Sequence, residues 1–446
     1  MSLRQFLLRW VPRRGQPLVE SGIYGLAGGL TGVAFEVAIY WVYTATLVRF
    51  SHWGAWNFAW ASFGVIVGTS LVSGLLLSRL APEAAGSGIP QLKWAFWKDF
   101  GFVPWRVAWV KFVAGVLAIG GGASLGREGP SVHLGFVVAS NLSRLLGVPK
   151  TGRRQASAAG AAAGLAATFN TPLAAIAFVL EEIKGNLNSP VLGGVVVAAM
   201  LSAFALDAVV GKNLAFPFAL HSVESNTWNG LLLVPVVALL VTVIGVAFQK
   251  GALGLRKAFR TSGLNRIPAS LRPALGSLFT WAIGTTVFIR YGRLGVFSLG
   301  YGDLTDSLNG HILGWLPFVL LTAKALATIC SYGTGGCGGV YGPSLFFGAM
   351  TGCAVEEFFC ALGVPLTGDD QLLLSITGMS TCLGAVARVP IASILIVFEM
   401  TQQFSLIPAL LIATILSQAL CRWLQPVGFY DQVLEDDGHR LSTVMP

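Results

Sequence analysis

Two short motifs in this sequence have the residues to bind an anion without using a cation. Gly126-Arg127-Glu128-Gly129-Pro130-Ser131 and Gly339-Val340-Tyr341-Gly342-Pro343-Ser344 each place a Gly-x-x-Gly-Pro pattern directly before an apolar run. Glycine lets the incoming backbone turn tightly, and proline in the first helical turn gives up no useful hydrogen bond. Each motif therefore predicts a helix amino terminus whose free amides carry partial positive charge and attract an anion. Gly86-Ser87-Gly88, just before Ile89-Pro90, is a third helix start and adds a hydroxyl donor. Such a constellation suits a small anion that must bind yet leave quickly. A buried Arg or Lys would hold it too firmly.

Glu128 is the anomaly in this setting. A carboxylate inside an anion-attracting loop occupies the site itself when ionised and vacates it when protonated. The structural alternative is a Glu paired with Arg127 or Lys111. Glu181 and Glu182 close a later apolar helix. Glu181 reads as a helix-end acid facing Lys184. Glu182 reads as a candidate proton entry point, because an acid at the membrane edge is costly unless used. Phe429 and Tyr430, after the last helix, read by default as interfacial aromatics. His133 reads as packed among core residues, and Glu36, Glu356 and Glu357 have no motif around them. The five His, at 52, 133, 221, 311 and 439, are scattered. With no nucleophile–base pair or metal cluster, the expectation is a protein with no cofactor and no metal that is not an enzyme.

The elements that must position these residues lie in a membrane. Of 446 residues, 54% are hydrophobic and only 11% charged, against roughly 25% charged in an ordinary soluble domain. That composition excludes a soluble enzyme and a nucleic-acid binder. Charge-free stretches at 50–78, 155–180, 185–206, 225–249, 325–355 and 400–421 reach or approach the roughly 20 residues that span a hydrocarbon core. Many apolar runs are broken by Gly or Pro, which is tolerated where a helix is buried in protein or lines a cavity. The net charge of +9 is concentrated in 1–14 (Arg4, Arg9, Arg13, Arg14), 144–154 and 250–272, which contain no acid. Basic loops between apolar runs mark the cytoplasmic side, and no removable signal is evident. The six Cys, all in the second half, read as packing residues.

Self-similarity organises the chain. Lys111, Gly126, Gly129, Pro130, Ser131 and Gly135 recur at Lys324, Gly339, Gly342, Pro343, Ser344 and Gly348, each displaced by 213 residues. Gly160, Pro172 and Glu181 recur at Gly378, Pro390 and Glu399, displaced by 218, so Glu181 and Glu399 are expected to share a structural role. Glu182 has no such mate, because Met400 stands there. Gly86-Ser87-Gly88 has a weaker echo in Gly300-Tyr301-Gly302. The halves run from about residue 20 to 225 and from 226 to 430, with a short polar tail at 431–446. Transporter folds often use inverted repeats that share one site at their interface.

Gly86-Ser87-Gly88-Ile89-Pro90, Gly126-Arg127-Glu128-Gly129-Pro130 and Gly339-Val340-Tyr341-Gly342-Pro343 resemble, in order, the three anion-pathway signatures of the CLC family of chloride channels and transporters. The resemblance extends through Gly160 to Asn170, Pro172, Glu181 and Glu182, and through Gly378 to Glu399. It implies an all-α inverted-repeat bundle of about eighteen tilted and broken helices, forming one transmembrane domain over 1–446 with no regulatory CBS-type domain. It also implies a homodimer, each subunit with its own anion pathway, in a bacterial inner membrane with both termini cytoplasmic. Ser87 and Tyr430 would contact a central anion, as would the amides of Val340 and Tyr341. Glu128 would be the external gate and carry a proton; Glu182 would be the internal proton-transfer residue. Ser87, where nitrate-preferring members have Pro, is similar to chloride-preferring members. Tyr341 departs from the usual Phe, and Gln91 stands where Glu is common, with Lys93 close by. The resulting expectation is chloride/proton exchange, with chloride, protons and lipid as partners and no nucleic acid. The alternatives are a passive chloride channel with the same filter and, resembling this chain less at Ser87 and Tyr430, a fluoride/proton exchanger.

Overall fold

The computed structural model describes residue 4 and residues 10–12, 14–186, 191–211 and 228–443. Arg9, Arg13, His221 and the expected boundary between the halves lie outside the described residues. Those described are helical, with no strand; the sole β element among them is an isolated bridge between Gly126 and Gly339. The first half contains α1 (Gln16–Tyr43), α2 (Ala55–Leu80), α3 (Ile89–Lys98), α4 (Trp105–Gly115), α5 (Glu128–Leu145), α6 (Lys150–Phe169), α7 (Pro172–Phe178) and α8 (Leu192–Val210). The second contains α9 (Trp228–Thr261), α10 (Arg272–Tyr291), α11 (Tyr301–Leu308), α12 (Leu316–Gly333), α13 (Tyr341–Ala361), α14 (Gly368–Ala387), α15 (Pro390–Thr401) and α16 (Ile407–Leu424), followed by α17 (Phe429–Asp436).

Local sequence explains where these helices begin and stop. Pro90, Pro172, Pro273, Pro317, Pro390 and Pro408 occupy the first or second position of α3, α7, α10, α12, α15 and α16, where the fixed φ is already helical. The repeat mates Asn170 and Arg388 end α6 and α14 with left-handed φ of 56° and 61°, turning the chain sharply into the proline that starts the next helix. Among the described residues, seven helical stretches are long and apolar enough to cross a membrane. Between them lie short pieces, such as α3 with 10 residues, α7 with 7 and α11 with 8. Broken helices of this kind survive in a bilayer only where protein or water satisfies their ends.

The repeat spacing reappears as packing. Gly135 of α5 meets Gly160 of α6 so closely that a Cβ on either would lie 2.1–2.2 Å from the other's carbonyl oxygen. Gly348 of α13 meets Gly378 of α14 in the same way, at 2.1 Å. Backbone-to-backbone approach at small residues is how membrane helices gain contact when lipid is as apolar as the side chains. These four helices form the centre, and nearly every residue of α14 is buried. Large apolar side chains such as Trp56, Trp60, Phe204 and Leu232 face outward, as a lipid-contacting shell should.

The lysine mates also act alike. Lys111 Nζ donates to the carbonyls of Ala84 (2.9 Å) and Gly86 (2.6 Å), and Lys324 Nζ to those of Ser298 (2.7 Å) and Val296 (3.3 Å). Each fully buried ammonium thus ties down the loop before a short helix, α3 or α11. Of the cysteines, Cys337, Cys353, Cys382 and Cys421 are buried, whereas Cys360 is exposed and so departs from the packing expectation.

Candidate functional site

The loops before α5 and α13 pair antiparallel at their glycines. Gly126 N donates to Gly339 O and Gly339 N to Gly126 O, both at 2.7 Å. This exchange brings the two predicted helix amino termini together: a Cβ on Gly126 would lie 3.0 Å from Gly342 N and 3.2 Å from Pro343. The loop before α3 joins them, since a Cβ on Gly129 would lie 2.9 Å from that of Ser87. Pro130 and Pro343 are both buried, away from lipid. Three amino-terminal ends therefore converge in the protein interior, and their partial positive charges add.

Glu128, fully buried at the first position of α5, turns its carboxylate toward α13. Oε2 accepts from Gly342 N at 3.1 Å, and Oε1 accepts from Tyr301 Oη at 2.5 Å. The carboxyl group thus sits on the Gly342 amide in the first turn of α13, in the opposite repeat. The pairing alternative for Glu128 does not hold. Arg127 forms its ion pair with Glu36 at 2.7 Å and donates to Thr168 O at 2.9 Å, and Lys111 is taken up by carbonyls. Arg127 also lies over the Tyr301 ring, 5.5 Å from its centroid.

On the other side of this convergence are hydroxyl groups. Ser87 Oγ caps Ile89 N at 3.3 Å. Phe429 and Tyr430 are buried, not interfacial, because α17 folds back against α3. Tyr430 lies beside Ser87, and its ring centroid is 6.0 Å from that of Tyr341. The buried hydroxyls of Tyr341 and Tyr430 face one another and, through Tyr430, Ser87, and among the described residues neither ring nitrogen of His133 has a hydrogen-bond partner. His133 packs against Gly88. The Tyr430 hydroxyl beside Ser87 and the His133 ring against Gly88 are polar groups that could serve a dehydrated anion, since a buried polar group left alone is costly.

Two vestibules approach the convergence. One, of about 670 Å³, is bounded by Glu36, Tyr40, Arg127, Tyr301 and Asp306. The other, of about 560 Å³, is bounded by Ser87, His133, Tyr332, Arg256, Arg260 and Arg272. The two cavities do not share a lining residue.

Glu182 lies apart, beside a third cavity of about 320 Å³. It is buried, and its Oε1 faces Lys93 Nζ at 3.2 Å, which also contacts Asp431 Oδ1 at 2.7 Å. Its neighbour Glu181 points elsewhere, accepting from Ile391 N (3.2 Å) and Ala392 N (2.9 Å) at the start of α15. Glu399 accepts from Leu173 N (3.0 Å) and Ala174 N (2.7 Å) at the start of α7. The two acids are reciprocal helix caps, favoured by the macrodipole, as their repeat relationship suggests; Lys184 is not the partner of Glu181.

Tyr301, Glu36 and the pairing of Lys93 with Glu182 and Asp431 are what sequence reasoning misses. Tyr301 carried one signal, its place opposite Ser87 in the weaker repeat echo; Glu36 carried none. Among the described residues no group of three His, Cys, Asp or Glu could hold a metal ion.

Residues 69–422 match the voltage gated chloride channel family. The chain is 30% identical over 439 residues to the H(+)/Cl(-) exchange transporter ClcA of Vibrio campbellii, covering 97% of this chain and 92% of that protein. It is 31% identical over 411 residues to the ClcA of Vibrio vulnificus, covering 91% and 86%. Among solved structures it resembles a slow cyanobacterial Cl-/H+ antiporter, with TM-score 0.81 and 23% identity over 94% of this chain and 97% of that one. It also resembles a CLC-type fluoride/proton antiporter, with TM-score 0.75 and 19% identity over 93% and 96%.

Proposed function

Because the chain belongs to the CLC family of chloride channels and transporters, we propose that it is a secondary transporter exchanging chloride for protons across a membrane. The observation that carries this reading is the Glu128 carboxylate hydrogen-bonded to Gly342 N at 3.1 Å. The group that fills the helix-end anion site is itself able to take up a proton. A proton on Glu128 cancels its charge, weakens its hold on the amide and lets chloride replace it. Chloride leaving lets the ionised carboxylate return. One site thus accepts a proton or an anion by turns, and the two flows are linked.

In this reading the Glu36–Arg127 vestibule is external and the Ser87–Tyr332 vestibule internal. Chloride crosses between Ser87 and Tyr430 and the amides of Val340 and Tyr341, then past Glu128. Protons reach Glu128 from Glu182, which lines a third cavity that adjoins the internal vestibule at Leu434 and His439, so the inner portions of the two routes run side by side. The basic segments 250–272 and 144–154, with both termini, face the cytoplasm of a bacterium, and the protein is a homodimer with one pathway per subunit.

The test is proton movement in liposomes driven only by a chloride gradient. Uphill proton transport is expected. Chloride flux without any proton movement would instead indicate a passive channel, and transport confined to fluoride would indicate the fluoride branch.

A further inference from the structure

Lys93 lies one turn into α3, the short helix that starts at the Ser87 loop. Its side chain is only 9% exposed, and it divides its ammonium between two carboxylates from distant parts of the chain. One belongs to Glu182, 89 residues away at 3.2 Å; the other to Asp431, 338 residues away at 2.7 Å. Asp431 directly follows Tyr430 in the first turn of α17. A single buried cation therefore connects the acid assigned to proton transfer with the helix that carries the phenol assigned to the anion. Other charged groups facing the cluster are Glu181, Glu435, His439 and Arg440, around the third cavity.

We propose that Lys93 is a positioning residue that links the protonation of Glu182 to the Ser87–Tyr430 constriction through Asp431. The proposal rests on the exchange reading above. With Glu182 ionised, the ammonium is held between two opposing attractions. A proton arriving from the third cavity binds the Glu182 carboxylate and removes one of them. Attraction between charges in a buried setting is strong and falls sharply when one partner is neutralised. Lys93 is then held by Asp431 alone. The Asp431 side chain is 44% exposed and free to follow, whereas the ammonium is confined. Tyr430 is the adjacent residue, packed 6.0 Å from the Tyr341 ring, so movement of the first turn of α17 alters the opening beside Ser87. When Glu182 passes its proton onward, the second attraction returns and the arrangement resets. Lys93 touches neither the anion nor the moving proton; it sets when the anion route opens relative to proton arrival.

A lysine that merely neutralised a buried carboxylate would need Glu182 and not Asp431. The discriminating experiment measures proton and chloride fluxes of the full chain in liposomes and takes their ratio. Lys93→Met and Asp431→Asn should each lower the proton-to-chloride ratio roughly fivefold or more, the lower end of free-energy coupling between sites, while chloride continues to move. Lys93→Arg should keep the wild-type ratio. Asp431→Asn leaves the Lys93–Glu182 pair in place, so it decides the matter even if Lys93→Met fails to fold. A wild-type ratio in Asp431→Asn, or Lys93→Arg behaving as Lys93→Met does, overturns the link alone. A wild-type protein that moves chloride with no protons overturns the exchange reading and the link together.

Discussion

Tyr301 Oη donates to Glu128 Oε1 at 2.5 Å from a position 214 residues beyond Ser87. The two hydroxyls are repeat mates, one in the loop before α3 and one at the start of α11. The Glu128 carboxylate is consequently held entirely from the second repeat, by Tyr301 on one oxygen and by Gly342 on the other. A side chain rooted in one half and held by the other sits where the halves meet, which is where inverted-repeat transporters place their substrate.

Tyr301→Phe removes one of these two donors while keeping the ring under Arg127. A hydrogen bond to a charged group contributes about 1.5–3 kcal/mol. Without it, ionised Glu128 competes less well for the α13 amides, and chloride should bind at least about tenfold more tightly, tenfold being the equivalent of about 1.4 kcal/mol. Titration calorimetry with chloride on the purified protein reads this directly. Unchanged or weaker binding would mean that Glu128 and chloride do not compete.

Glu128→Gln keeps the shape of the side chain and removes its ability to carry a proton. Proton transport should disappear while chloride still moves. The liposome assay separates the two fluxes, and proton pumping that survives in this variant would remove Glu128 from the proton route.

Glu182→Gln should stop proton transport with the fold intact, because Lys93 retains Asp431 at 2.7 Å and no buried ammonium is stranded. A monodisperse size-exclusion peak at the wild-type position, together with loss of proton flux, is the expected pair of results. Coupled exchange at the wild-type rate would place proton entry elsewhere.

What the sequence discloses about this fold is what glycine and proline disclose. Gly135, Gly160, Gly348 and Gly378 stand out in the repeat because no other residue fits the helix crossings they form, and Pro172 and Pro390 because a helix starts on each. Glu181 and Glu399 could be recognised as mates, and their reciprocal capping follows from that kinship. The contacts that escape are those between unlike residues far apart in the chain. Arg127 meets Glu36, 91 residues upstream, and Lys93 meets Asp431, 338 residues downstream. Nothing in local spacing marks such pairs, since either partner alone resembles an ordinary charge near a helix end. Residue type alone leaves Tyr430 at the interface for the same reason, and only the family resemblance places it beside the anion. An aromatic after a last helix is usually interfacial, and only the return of α17 onto α3 buries it.

The glycine crossings supply a test of the architecture that needs no transport assay. At Gly160 a methyl group would lie 2.2 Å from the Gly135 carbonyl oxygen, and at Gly378 it would lie 2.1 Å from that of Gly348. Both obstacles are backbone, so no rotamer change relieves them and the helices must separate. Overpacking of this sort costs about 1–3 kcal/mol, which predicts a lower melting temperature in detergent for Gly160→Ala and Gly378→Ala alike. Gly254, within α9, has no atom within 4 Å of a Cβ. There Gly→Ala should be neutral or stabilising by up to about 1 kcal/mol, because alanine is the better helix former. The two crossings occupy equivalent places in the halves, so their losses should be similar in size. A marked asymmetry, or a destabilised Gly254→Ala with the crossings unaffected, would mean that the close α5–α6 and α13–α14 contacts do not hold the bundle together.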